Sequence, residues 1–262
     1  MKRHLAKICW QRFEMRFSLF LISLAAFGQS TKFDPPRQAD GHPDLQGVWR
    51  NSAIVAAFNV EGQEAFYNEP GGKSVIVDPP DGKLPYLPAA LKQANDNHVH
   101  RERDPTGHCH THGVPRLLVP PFPIHIVEDS RDVVLLSETE HSLRIIPLDG
   151  SPHPKNYRSW NGDSRGHWEG DTLVVDVAGF NGRTWLDQAG NIVDENEHVV
   201  ERYTMKTPDT IAYEARVDDP TVYSRPWTLG ISLRRQPAGT ELIEYDCIEG
   251  ERSETHYPGA KK

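Results

Sequence analysis

The sequence predicts an all-β fold, an antiparallel meander that closes into a barrel or packs as a sandwich, with a long Pro-rich irregular segment wrapped around it. Three observations carry this. From residue 124 onward, short β-branched and aromatic runs recur at roughly ten-residue spacing with turn residues between them. Between 32 and 122, prolines such as Pro35, Pro36, Pro43, Pro79, Pro80, Pro85, Pro120 and Pro121 break any long helix or ladder. No apolar run reaches the roughly twenty residues that a membrane-spanning helix needs.

The chain starts with Lys2, Arg3, Lys7, Arg12 and Arg16 ahead of an apolar run from Phe17 to Phe27, and Ala26 and Gly28 supply small residues for cleavage. That pattern is a signal segment over 1–28, removed on export, so the protein is expected to be periplasmic or secreted. One domain over 29–262 follows, divided into a wrapping half (29–122) and a strand-forming half (123–250). In the wrapping half only 88–95, with Ala89, Ala90 and Leu91, reads as a helix.

The expected strands are 124–127, 132–137, 143–147, 166–169, 172–177, 199–205, 210–217, 228–234 and 241–247. Gly170 and Asp171 form a two-residue loop that fixes the register of one hairpin, setting Glu169 opposite Thr172, His167 opposite Val174 and Arg165 opposite Asp176. Side chains alternate across a strand, so Gly166, Trp168, Leu173, Val175 and Val177 form the core face. Arg165 and Asp176 are then expected to pair across the strands. In 199–205, Glu201 shares a face with Val199, Tyr203 and Met205, which raises the question whether it points into a polar cavity.

The whole chain holds 29 basic and 37 acidic residues, a net charge of −8. Removing the first 28 residues takes away five basic residues and one acidic one and leaves a balance of −12. No dense Lys/Arg stripe survives to neutralise phosphates, which excludes nucleic-acid partners and disfavours anionic membrane surfaces. A small-molecule ligand or substrate remains as the partner, with no membrane insertion after signal removal. Cys109 and Cys247 survive export into an oxidising compartment, where one disulfide is the simplest outcome and two buried thiols the alternative.

The run Trp-Glu-Gly-Asp-Thr-Leu-Val-Val-Asp at 168–176, with Phe180-Asn181, Thr184-Trp185-Leu186-Asp187, His198-Val199 and Glu201-Arg202, resembles an uncharacterised family of secreted bacterial proteins of acidobacterial type. The likeness covers most of the mature chain and attaches no reaction to it. It implies pairing of Cys109, followed by Gly113, Pro115 and Arg116, with Cys247. Gly47-Val48-Trp49 near the start of the β domain also resembles the entry to lipocalin-like barrels.

The connection 178–197 is far longer than an ordinary hairpin loop and carries polar and aromatic residues, which reads as a lid or mouth over a cavity. Next to it His198 is a candidate acid/base, with Asp187 as its partner and Glu201 as a further carboxylate that pairs with a basic residue across the sheet. Asn181, Trp185, Arg165, Arg202 and Trp160 are the candidate substrate contacts. Glu138, His141, Arg144, His153, Asn161, Asp163 and Ser164 make a third polar cluster, read as structural.

His108, His110 and His112 alternate, and an extended segment would turn all three to one side as a transition metal requires. Pro105, Gly107 and Gly113 argue instead for a solvated loop. No cofactor is expected, and a divalent transition metal is the one admitted exception. Neither a nucleophile elbow nor a phosphate-cradling loop is present. The sequence therefore supports an acid/base lyase, isomerase or hydrolase acting on a neutral organic or carbohydrate-like substrate. The alternatives are a non-catalytic lipocalin-type binder and a His-rich metal-binding protein.

Overall fold

Alternating apolar residues become the staves of a nearly closed antiparallel barrel in the computed structural model, which describes residues 33–245 and Cys247. The signal segment expected over 1–28 lies outside these residues. The strands are β1 (Gly47–Asn51), β2 (Gly62–Gln63), β3 (Gly72–Lys73), β4 (Ile76–Asp78), β5 (Ile124–Glu128), β6 (Asp132–Ser137), β7 (Leu143–Pro147), β8 (Asp163–Glu169), β9 (Thr172–Ala178), β10 (His198–Thr207), β11 (Thr210–Asp218) and β12 (Trp227–Arg235). Two helices, α1 (Val55–Phe58) and α2 (Pro88–Val99), lie in the connection from β1 to β5. The barrel path is β7-β6-β5-β1-β12-β11-β10-β9-β8, so each stave except β8 pairs with its predecessor in the chain and the last returns to the first.

An all-antiparallel ring needs an even number of staves, and this one has nine. Direction alternates along the whole path, which leaves β7 and β8 running the same way with no ladder between them. Side chains close that seam. Arg144 Nε donates to Ser164 Oγ at 2.9 Å, and a Cβ at Gly166 would lie 2.8 Å from Ile146 Cγ2. Only glycine therefore permits the approach, and the pairings 144 with 164 and 146 with 166 step in the parallel sense. Parallel strands need a crossover of a dozen or more residues, which is what 148–162 supplies.

The hairpin register set by Gly170 and Asp171 is the expected one, with Arg165 opposite Asp176 and His167 opposite Val174. Leu173, Val175 and Val177 are buried as expected, and Val174 on the other face is buried too. The expected pair of Arg165 with Asp176 does not form. Arg165 turns along its own strand to Asp163, at 2.8 Å and 3.0 Å, because His153 from the crossover takes the Asp176 carboxylate.

Several boundaries differ from expectation. The wrapping half supplies a stave of its own, since β1 pairs β5 on one side and β12 on the other. Arg235 lies over the Trp49 ring at 4.1 Å, and Gly47 makes room for it: at φ +128 a Cβ there would stand 2.5 Å from Arg235 Nη1. Residues 241–245, expected within a final strand, form none. The free edge of β12 is already taken by β1 and, beside Thr228 and Leu229, by β4, so no ladder is left to join. The helix expected over 88–95 runs on to Val99.

Large side chains fill the barrel. Trp49, Trp227, Tyr203, Tyr213, Leu135, Ile146, Leu173 and Ile211 are almost wholly buried. Interiors pack at near-crystalline density, and these side chains occupy this one.

Candidate functional site

Glu201 does point inward, and its partner is Arg144 from the opposite side of the barrel. Arg144 Nη1 donates to Glu201 Oε1 at 3.0 Å and Nη2 donates to Oε2, with both side chains buried. Tyr203 and Tyr213 donate to the same carboxylate at 3.0 Å and 2.8 Å. Burial, then the Glu201 charge, raises both phenol pKa values, so the hydroxyls stay protonated and keep donating. Four hydrogen bonds, three on Oε1 and one on Oε2, hold the carboxylate inside the filled core, which makes Glu201 a structural keystone.

His198 and Asp187 are not brought together. His198 Nε2 meets Asp176 Oδ2 at 2.9 Å on the outer face of the sheet. Asp176 also accepts from His153 Nε2 at 2.7 Å, and the other ring nitrogen of His153 meets Asp163 at 2.6 Å. Burial alone would raise the Asp176 carboxyl, but the hydrogen bonds from His153 and His198 outweigh it and hold it below its ordinary value. This chain of groups pins the 148–162 crossover onto the sheet. Local proximity in sequence had suggested Asp187 for His198, and the fold sends the two in different directions.

Asp187 is fully buried within the 179–197 connection. It accepts from Val60 N at 2.9 Å and from the Asn191 side chain at 2.7 Å, and burial raises its pKa against those bonds. Phe180, Trp185, Leu186, Ile192 and Val193 are buried beside it, so the connection is a packed plug and not a lid. Trp185 is thereby a core residue, and Asn181 closes a local turn by accepting from Arg183 N at 3.0 Å. Arg202 pairs with Glu169 on the outer surface at 2.8 Å. Trp160 is the expected contact that lines a cavity, a slot of about 370 Å³ at the β7–β8 seam, where its ring stacks on His110 at 4.5 Å.

At the end of the plug, Glu197 is buried, and neither carboxylate oxygen has a partner among the described residues. Burial, then the charges of Asp219 and Asp194, raises its pKa well above the ordinary value. A carboxyl raised by folding carries no charge penalty below the unfolded pKa of about 4.3 and destabilises increasingly as pH climbs above it. Glu197→Gln is therefore expected to raise the melting temperature at pH 8 and leave it unchanged near pH 4, as scanning calorimetry at the two values would read. Equal shifts at both would contradict this account.

The three alternating histidines diverge. The turn Pro105–His108 and the left-handed Cys109 at φ 62 break the extended conformation that alternation needs. His108 Nε2 bonds Glu102 O at 2.8 Å, His110 stacks on Trp160, and His112 pairs with Glu140. Among the described residues no group of three His, Cys, Asp or Glu could hold a metal ion.

The pair of His112 and Glu140 is the feature that sequence reasoning missed. Glu140 stands at the tip of the β6–β7 turn with φ 50, and its carboxylate accepts from His112 Nδ1. Both side chains are nearly buried. With Nδ1 carrying the hydrogen, Nε2 presents its lone pair, and among the described residues it makes no hydrogen bond. The segment carrying His112 is held by Arg116, which donates to both Asp104 oxygens at 2.9 Å and 2.6 Å, and by the disulfide of Cys109 with Cys247, whose Cα atoms are 5.6 Å apart.

His112 stands where two cavities meet, at the barrel mouth capped by the wrapping half. One, of about 440 Å³, is walled by Glu69, Arg101, Glu102, Asp104, Glu140 and Tyr245. The other, of about 460 Å³, is walled by Ile54, Ala57, Phe58, Pro120, Pro121 and Phe122. His112, Phe122 and Gln188 line both. A concave site with a few polar groups converging on one titratable pair is what small-molecule chemistry requires. Among the described residues no helix is long and apolar enough to cross a membrane. No family model matches the chain, and no curated protein matches it.

Proposed function

We propose that this protein is an exported, periplasmic or secreted acid/base enzyme, a lyase, isomerase or hydrolase of small neutral organic molecules. His112 is its general base. One observation carries the reading: a nearly buried imidazole whose Nδ1 is held by a carboxylate and which lines a groove. Glu140 fixes the tautomer and stabilises the imidazolium that forms when Nε2 takes a proton from substrate or water. The groove disfavours an anionic substrate, because Glu69, Glu102, Asp104 and Glu140 outnumber Arg101, which already pairs with Glu69 at 2.7 Å. The disulfide fits an oxidising compartment.

The test is turnover by the mature protein on a panel of uncharged chromogenic esters, lactones and glycosides. His112→Gln and Glu140→Gln should each lower kcat by about 10²-fold or more with the fold intact by circular dichroism. Unchanged turnover in His112→Gln, or no turnover by the parent on any class, would remove the reading.

A further inference from the structure

The two ends of the groove differ in chemistry, and the difference selects among neutral substrates. Past His112 on one side the walls are Ile54, Ala57, Phe58 and the Pro120–Pro121 pair, with Phe122 at the junction. Ile54 and Phe122 are 48% and 40% exposed, so apolar surface faces the cavity and not the interior of the fold. A cavity of about 460 Å³ is large enough for a one- or two-ring group. Past His112 on the other side stand Glu69, Arg101, Glu102 and Asp104; Arg101 is paired with Glu69 and Arg116 with Asp104, which leaves Glu102 as the carboxylate with no Arg or Lys partner among the described residues. A polar group there meets hydrogen-bond acceptors and a negative potential, which admits donors and cations and repels anions.

We infer that the substrate is amphipathic: an aryl or branched-alkyl group lies against Ile54, Phe58 and Phe122, and a hydrogen-bond-donating, uncharged or cationic part lies against Glu69 and Glu102. The reacting bond spans the junction over His112 Nε2. That last placement rests on the reading of His112 as the base, while the two ends are tested by binding alone. The order of charge preference follows directly. Cationic and neutral amphiphiles bind, and an anion of the same frame is rejected.

The experiment is a fluorescence titration of the full mature protein with two dyes of one frame, neutral N-phenyl-1-naphthylamine and anionic 8-anilinonaphthalene-1-sulfonate. The neutral dye should saturate at one per chain, with the sulfonate at least about tenfold weaker. Ile54→Glu, at a half-exposed position that the fold tolerates, should weaken the neutral dye by about tenfold or more. Glu102→Lys, on the exposed rim, should narrow the gap between the dyes. A sulfonate that binds as tightly as the neutral dye overturns the inference, as does an Ile54→Glu protein with unchanged affinity. Neutral-dye affinity that falls as protein concentration rises would mean that a second copy covers the apolar end, and overturns it as well. None of these readings needs turnover, so the ends of the groove and the role of His112 stand or fall separately.

Discussion

Glu201→Leu is expected to cost about 3–5 kcal/mol of folding stability, the range for removing one partner of a buried ion pair. Arg144 would keep only the Ser164 hydroxyl, with its guanidinium still inside the barrel. Desolvation alone would lower the Arg144 pKa and the Glu201 carboxylate outweighs it; without that carboxylate the guanidinium stays charged, buried and unpaired. The phenols of Tyr203 and Tyr213 would also lose their acceptor, at about 1–3 kcal/mol for each group left unsatisfied. Adding Arg144→Met to Glu201→Leu should recover much of the loss by removing the stranded charge, though the two hydroxyls keep the recovery incomplete. Urea unfolding at pH 7 reads both effects, and a single-variant loss below about 1 kcal/mol would show that the pair is not a keystone.

Cys247→Ser is the second large effect. The disulfide closes a loop across 138 positions, and the chain-entropy relation gives about 4–5 kcal/mol for such a closure. In a domain of this size that corresponds to a fall of about 10 °C or more in melting temperature. The loss should be local first, because residues 241–245 have no ladder and are held by contacts such as Ile243 N on Glu138 at 3.1 Å. Tyr245, part of the acidic wall, goes with them. Calorimetry with and without reductant gives the shift. Two free thiols in the denatured, unreduced parent would remove its cause.

What the sequence made legible was period and punctuation. β10 reads as a strand with Val199, Glu201, Tyr203 and Met205 on one face because those four alternate, and the barrel buries all four. Gly170-Asp171 fixes a register locally, so the β8–β9 hairpin follows from two residues. β1 was harder, since a five-residue run becomes a stave only when β12, almost two hundred positions away, offers an edge. The same edge, once occupied, denies a strand to 241–245, whose β-forming composition gives no hint that the sheet is full. The site failed for a similar reason. His112 and Glu140 are 28 positions apart on different elements, and neither carries a motif. Asp187 looked like a partner for His198 because both flank one loop, yet Val60 and Asn191 claim it.

The odd number of staves decides where the barrel breathes. Along β7 and β8 alternate backbone amides face a gap with no ladder, whereas β11 is laddered on both sides. Deuterium should enter the seam amides well before those of β11, whose exchange waits for global opening. The 148–162 strap, fastened by His153 to Asp163 and Asp176, is what covers this fault line. Uncovered strand edges template pairing with other chains. A protease nick in the exposed 154–158 stretch would therefore turn an internal seam into a sticky margin, and make the folded protein prone to self-association without unfolding it.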